Sequence, residues 1–282
     1  MDTVSFPYLC MSADLDDFPE KTISWHWHKA FEINYIASGQ IDFMMTGRTA
    51  KLSKGDVVFI NSDVLHALSA HGNETSAISF AHFIDSRFLS GGAGNILESE
   101  FVFPLTGNTD FNYFCLYGEN QNDSEMIEII KKMTEVCREE PYGYEFMVRN
   151  LISSFWIKMF ERYKSDICRP CNKKSLDGSR IRDMMQFVRE NFNDKLGLKD
   201  IAGAAGIGTR ECNRCFDRTI GMSPMEYLNQ FRLEQAIGLM LNSDESITNI
   251  SEDCGFFSNS YFSKCFHDRF GCTPNEYRKR QN

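Results

Sequence analysis

From Thr22 to Phe83 short runs of β-branched and aromatic residues alternate with turn residues. FEINYIAS, IDFMMTG, AKLS, DVVFI and SAISFAHFI are set apart by Gly39-Gln40, Gly47-Arg48, Lys54-Gly55-Asp56 and Asn61-Ser62-Asp63. Short strands punctuated this regularly predict an all-β barrel or jelly roll. The pattern changes after Asp123. From there to Lys164, SEMIEIIKKMTEVCREE and YEFMVRNLISSFWIKMFERY space their apolar residues three and four apart, the period of a helix. Pro141-Tyr142-Gly143 breaks them into an antiparallel pair. A short polar stretch, CRPCNKKSLDGS, follows and reads as a linker. The expected division is a β-rich domain at 1–110, a helical hairpin at 111–167, the linker at 168–179 and a helical domain at 180–282.

The last of these contains a repeat. Phe216, Gly221, Pro224 and Tyr227 recur 50 residues on as Phe266, Gly271, Pro274 and Tyr277. Ile201 and Gly206 recur 49 residues on as Ile250 and Gly255. Two copies are too few for a solenoid, so this is a duplicated supersecondary unit. Each copy reads as a short helix, a glycine turn and a second helix. In the first, Leu198 to Ala205 is helical, Gly206 closes it, and Thr209 is the expected N-cap of the next helix. That helix turns Cys212, Cys215, Phe216 and Ile220 inward and Arg210, Asn213, Arg214 and Arg218 outward. In the second, Gly255 closes, Ser258 caps, and Phe262, Cys265, Phe266 and Phe270 turn inward. Asn259, Ser260, Ser263, Lys264 and His267 turn outward. Helix, glycine turn, helix is the pattern whose second helix enters the DNA major groove. A plain helical bundle with solvated arginines is the competing reading; the duplication favours a two-groove reader. Between the copies, Pro224 to Leu241 predicts a long helix able to set the units about 34 Å apart, one DNA turn.

Charge sharpens this. The net charge of -9 hides an asymmetry: residues 1–177 carry 16 basic and 25 acidic side chains, residues 178–282 fourteen of each. The second part holds 10 Arg against 4 Lys, and Arg suits phosphates and base edges. Neutrality implies modest affinity for one such domain, with dimerisation supplying the rest. No stretch approaches the ~20 apolar residues of a membrane span. The start lacks the basic and apolar regions of a secretory signal. A cytoplasmic location is expected, and the ten cysteines are expected to be reduced thiols. Cys168/Cys171 and Cys212/Cys215 form CxxC pairs about 40 residues apart, too far for a zinc ribbon.

Within the β-rich part stand His26-x-His28-x3-Glu32-x6-Gly39 and Gly55-x5-Asn61-x-Asp63-x2-His66. The spacing resembles the two cupin motifs, with Asn61 and Asp63 where cupins usually carry Pro and Gly. On one strand, positions 26, 28 and 32 would share a side, and His66 would join from a neighbouring strand. Three imidazoles and a carboxylate are a first-row metal set. They also suit a structural polar core. Trp25 and Trp27, of opposite parity, are expected on the barrel surface or at an interface. His71 and His82 stand in no constellation and read as ordinary.

The segment from about 180 to 280 resembles the DNA-binding domain of AraC-type transcription regulators. The matching residues are Ile201-Ala202, Gly206, Phe216, Gly221-Met222-Ser223-Pro224, Tyr227, Arg232-Leu233 and Ala236, then Ile247, Ile250, Cys254-Gly255-Phe256, Ser258, Tyr261-Phe262, Phe266, Gly271, Thr273-Pro274 and Tyr277-Arg278. The resemblance implies seven helices carrying two helix-turn-helix units. It places base-reading positions at Arg210, Asn213, Arg214, Asn259, Ser260, Ser263 and Lys264, and phosphate contacts at Arg218 and Arg278. Gly203 and its small neighbours make the first short helix a weak one. The fold expected is mixed α and β: a cupin-like β-barrel with a helical dimerisation segment, then an all-α domain with two helix-turn-helix units. The function expected is regulation of transcription, activation more than repression, on double-stranded promoter DNA. A homodimer would respond to a small polar effector, a sugar by family resemblance, held by His26, His28, Glu32 and His66, and as an activator would engage RNA polymerase. No cofactor is expected unless those four residues hold a divalent metal. No catalytic residue is read, and the rival reading is a metal-dependent cupin enzyme with a DNA-binding appendage.

Overall fold

A computed structural model describes residues 6–72, 76–92, 94–169 and 176–281. Nine strands are described: β1 (Tyr8–Asp14), β2 (Thr22–His26), β3 (Phe31–Ser38), β4 (Gln40–Met45), β5 (Arg48–Ser53), β6 (Val57–Ile60), β7 (His66–Ala70), β8 (Ile78–Ile84) and β9 (Tyr113–Leu116). They pair antiparallel in two sheets, ordered β1-β8-β3-β6-β9 and β2-β7-β4-β5. Among the described strands the two sheets share no ladder and so close no hydrogen-bonded barrel; they pack face to face through side chains, with main-chain bonds in the crossings. The strand β9 lies past residue 110, at the start of the stretch read as a helical hairpin, and pairs with β6.

Period-two alternation sorts the five-stranded sheet into two buried faces. Ile36, Val58 and Ile60 meet Ile41, Phe43, Leu52 and Leu68 of the four-stranded sheet. Phe31, Ile33, Val57 and Phe59 face the other way, toward helices. Each of these side chains is fully buried, contributing roughly 1.5–3 kcal/mol. The chain crosses between sheets at Gly39. Its φ of +71° and the 2.8 Å separation of a built Cβ from the Ala77 Cα leave room for no side chain there.

Three short helices follow β8: α1 (Ser86–Ser90), α2 (Ile96–Phe101) and α3 (Phe103–Thr106). Then come α4 (Ser124–Glu139) and α5 (Tyr144–Ile167), which pack on each other and on the sheet through Ile130, Met133, Ile152, Phe155 and Met159. The opposite side of α5 keeps Phe146 75% and Ile157 54% exposed, three turns apart on one face.

The chain divides into two compact units between residues 174 and 175; Cys171 and residues 170–175 of the linker lie outside the described residues. The second unit is helical: α6 (Leu176–Asn191), α7 (Leu198–Ala204), α8 (Thr209–Ile220), α9 (Pro224–Asn242), α10 (Ile247–Asp253), α11 (Asn259–Phe270) and α12 (Pro274–Gln281). The short α7 forms despite Gly203, held by buried Ile201 and Ala202 and by Asp200, whose carboxylate accepts from the Gly197 N–H at 2.8 Å. No helix among the described residues is long and apolar enough to cross a membrane.

Candidate functional site

The first site lies between the two sheets. His26 ends β2 opposite His66, the first residue of β7, and Glu32 stands on β3 of the other sheet. His28 sits in the crossing between β2 and β3. The four residues therefore do not share one strand, and parity along a single strand is not what gathers them. A register shift between Ile23 and His26 turns His26 inward, as a bulge does. The crossing at 27–30 then carries the chain to the facing sheet, where Glu32 points back. Asp63, in the place where the cupin motif usually has Gly, adopts φ +59° and donates its N–H to the His28 carbonyl at 2.9 Å. Asn61 ties its loop down by donating to the Leu105 and Phe111 carbonyls.

One ligand atom from each of His26, His28, Glu32 and His66 lies within 4.8 Å of the others. The three rings are held alike. Nδ1 of His26, His28 and His66 lies 2.8, 2.9 and 2.9 Å from the carbonyls of Ser24, Ala30 and Val64. A carbonyl only accepts, so each Nδ1 carries its proton and each Nε2 points its lone pair or a second proton at the cluster. His28 Nε2 and His66 Nε2 lie 2.7 and 3.0 Å from the same Glu32 oxygen; Asn34 donates to the other at 2.6 Å. Asn34 had no signal in the spacing pattern, although it is two residues from Glu32 on the same face.

Charge is unevenly shared. Burial, then the neighbouring His66, pushes His26 down to about 3, so it stays neutral. Burial opposes charge on His28 as well, but the hydrogen bond to Glu32, the Glu32 charge and the Ala30 carbonyl together outweigh it and raise His28. Burial opposes charge on Glu32 too, yet His66 and the bond from His28 hold its carboxyl well below the usual range. His66 is fully buried, and its Nε2 makes no well-aligned hydrogen bond among the described residues. Three imidazoles oriented through their Nδ1 atoms and one carboxylate fit a divalent metal.

Trp25 is buried and Trp27 half-buried, so Trp25 packs in the core and not on the barrel surface. His71 pairs with Asp42 at 2.9 Å. His82 is not ordinary: it is fully buried and bonded at both ring nitrogens, to Tyr8 and to Thr134.

The second site is the pair α8 and α11. On α8, Cys212, Cys215, Phe216 and Ile220 are buried, while Arg210, Asn213, Arg214 and Arg218 are exposed. Arg214 and Arg218 both reach Glu211 on the same helix, whose carboxyl the Arg214 hydrogen bond holds down. Gly208, not Thr209, is the N-cap; Thr209 is the first helical residue. On α11, Ser258 caps as expected, accepting from the Tyr261 N–H. Asn259, Ser260 and Lys264 are exposed and Ser263 half-buried. Arg278 is half-buried, donates to the Glu245 carbonyl at 2.7 Å and keeps two buried nitrogens without partners among the described residues. One buried cation organises the unit. Arg232 donates to the Phe192 and Asp194 carbonyls, both at 2.7 Å, and lies 5.7 Å from the Phe256 ring centre.

Each of these two clusters falls in a segment that matches a known domain family. Residues 12–90 match the AraC-like ligand binding domain family, and residues 201–280 match a helix-turn-helix domain family. The HTH-type transcriptional regulator YdeC of Bacillus subtilis is 25% identical, covering 98% of this chain and 93% of its own length. The HTH-type transcriptional activator RhaS of an Enterobacter species is 23% identical over 93% of this chain and 89% of its own. A crystal structure of ToxT from Vibrio cholerae aligns over 99% of both chains with a TM-score of 0.51 at 18% identity, a likeness of fold. With a ligand-binding domain of the one kind and a helix-turn-helix domain of the other in a single chain, this protein belongs to the AraC family of DNA-binding transcription regulators.

Proposed function

We propose that this regulator is a cytoplasmic, homodimeric activator whose effector is bound by His26, His28, Glu32 and His66. The observation that carries the reading is the convergence of three Nε2 atoms and one carboxylate oxygen within 4.8 Å, with every Nδ1 anchored to main chain. The neutral His26 offers a lone pair and the Glu32 carboxylate accepts, while the raised His28 donates, so the site suits a hydroxyl-bearing ligand, and a sugar is the class we favour. Activation is supported by the name RhaS carries as an activator, and it implies contact with RNA polymerase. The exposed Phe146 and Ile157 on α5 support that helix as the dimer face. Arg210, Asn213, Arg214, Asn259, Ser260, Ser263 and Lys264 read bases, with Arg218 on phosphate. Arg278, proposed on phosphate from the family pattern, is also committed to the Glu245 carbonyl. Effector binding biases an equilibrium between arrangements that differ in DNA affinity.

A second reading shares the site. The convergence of His26, His28, Glu32 and His66, with each Nδ1 held by main chain, also supports a first-row divalent metal bound by the same four residues, where it would neutralise Glu32. One experiment separates the two. Retained genomic fragments are sequenced across a salt series, and binding to the selected site is measured with a sugar panel, with divalent metals and with EDTA. A sugar that shifts binding in the native protein but not in Glu32→Gln supports the first reading. Stoichiometric metal whose removal by EDTA shifts binding supports the second. No response to either takes regulation away from this cluster.

A further inference from the structure

The helix-facing side of the five-stranded sheet carries a second polar cluster, unconnected with the first. Tyr8 and Cys10 on β1 and His82 on β8 lie on one face, since Tyr8 pairs with Ile84 and Cys10 with His82. The helix α4 covers them with Thr134 and Cys137, one turn apart. Proton positions here follow from the partners. The Thr134 hydroxyl donates its one proton to the Ile130 carbonyl at 2.9 Å, so its oxygen accepts from His82 Nε2, also at 2.9 Å. That fixes the imidazole with Nε2 protonated and Nδ1 as a lone pair. Tyr8 then donates its O–H to Nδ1 at 2.6 Å, leaving its oxygen to accept from the Cys137 thiol at 3.0 Å.

This one-way chain is a proton path. If the Cys137 proton moves to the Tyr8 oxygen and the Tyr8 proton to His82 Nδ1, a thiolate and an imidazolium result and no hydrogen bond is lost. The second sulfur is already in place: Cys10 Sγ, Cys137 Sγ and a His82 nitrogen lie within 4.8 Å of one another. Cys10 and Cys137 are half-buried residues, as are Cys115 and Cys265, whereas Cys212, Cys215, Cys254 and Cys272 are buried. The Cys10 hydrogen bond, against the cost of burial, and then His82 and Tyr8 hold the Cys137 thiol low. Burial instead pushes Cys212 up to about 11 and Cys254 up to about 12.

We propose that Cys10 and Cys137 are a peroxide-reactive thiol pair that closes a disulfide between β1 and α4, with Tyr8 and His82 as the relay that activates Cys137. The Cys137 thiolate attacks one oxygen of hydrogen peroxide. The O–O bond breaks, and hydroxide leaves as water with the proton returned from His82 through Tyr8. Cys137 is then a sulfenic acid. Cys10 attacks its sulfur, the S–S bond forms, the S–O bond breaks, and a second water leaves with the Cys10 proton. Two thiols and one peroxide give one disulfide and two waters. Side-chain rotation closes the sulfur gap to the ~2.05 Å of the bond. The product ties the edge strand of the sensor sheet to the last turn of α4.

The test uses the reduced full-length chain, treated with hydrogen peroxide and mapped by mass spectrometry without reduction. The expected result is a Cys10–Cys137 linked peptide pair. Cys10→Ser should stop at a sulfenic acid on Cys137, trapped by dimedone, and Cys137→Ser should give neither product. Tyr8→Phe should slow iodoacetamide alkylation of Cys137 at pH 6 by about tenfold while that of exposed Cys168 is unchanged. Should Tyr8→Phe alter the circular dichroism melt, the pH profile of alkylation in the native protein decides instead. An inflection for Cys137 well below that of Cys168 supports the relay, and coincident profiles overturn it. Oxidation at other cysteines, or stoichiometric zinc that must be chelated before Cys137 reacts, also overturns it.

Discussion

At the scale of single residues, two positions tie stability to local geometry. Gly255 has φ +75°, and a Cβ there would lie 2.5 Å from the Phe192 carbonyl oxygen and 3.0 Å from Arg232. Gly255→Ala is therefore expected to cost the helical unit about 3 kcal/mol, strain and overpacking together; chemical denaturation followed by far-UV circular dichroism checks this. His26 makes the sensor domain sensitive to acid. Its folded value of about 3 lies below the ordinary 6.5, so the unfolded chain binds a proton that the folded one refuses. The stability this gives is complete above pH 6.5 and is lost as pH falls from there toward 3. Glu32, also lowered, adds to the loss in more acid solution. His28, raised, works the other way and loses its contribution as pH rises past 6.5. In metal-free protein, His26→Asn should flatten the slope of unfolding free energy against pH between 6.5 and 3 by up to one proton. An unchanged slope would show that His26 titrates normally.

At the scale of elements, the two recognition helices are capped differently although their sequences are a repeat. The Ser258 hydroxyl accepts from the Tyr261 N–H, whereas Gly208 offers α8 no side chain. Ser258→Ala should cost about 1 kcal/mol and Thr209→Ala a few tenths at most. Equal losses in thermal melts would contradict this assignment of caps. On the outer faces, Arg210→Ala should lower the slope of log affinity against log salt by about one if Arg210 meets phosphate as it binds. A base-specific loss of about 1–3 kcal/mol is expected if it meets a guanine edge. Arg278→Ala should in addition lower the melting temperature, because its side chain holds the Glu245 carbonyl.

At the scale of the whole molecule, association is the property to test. Phe146 and Ile157 leave apolar surface on α5 while the opposite face is buried. Phe146→Glu with Ile157→Glu should convert a dimer to a monomer in sedimentation, leaving each domain folded and weakening operator binding by the lost avidity, a factor of about 100 or more. A dimer that survives both changes would place the interface elsewhere.

The helical unit was legible in the sequence because its signals are local. The repeat, the glycines at 206 and 255 and the inward spacing of Phe216 and Phe266 all act within one helix-turn-helix, where neighbours in sequence are neighbours in space. That His26, His28, Glu32 and His66 would meet was legible too, from their spacing in two motifs, and their ligand atoms do lie within 4.8 Å of one another. How they come together was not. A bulge in β2 and a crossing between sheets gather them, and neither leaves a mark on a period-two pattern read along one strand. The cluster of Tyr8, Cys10, His82, Thr134 and Cys137 left no sequence mark at all, because its members are separated by up to 129 residues and each alone is unremarkable. Only the stacking of α4 on the outer face of the sheet makes them neighbours. The sequence determines which faces are apolar and where turns fall; which polar groups then share one buried volume is decided by strand register and by which helix covers which sheet.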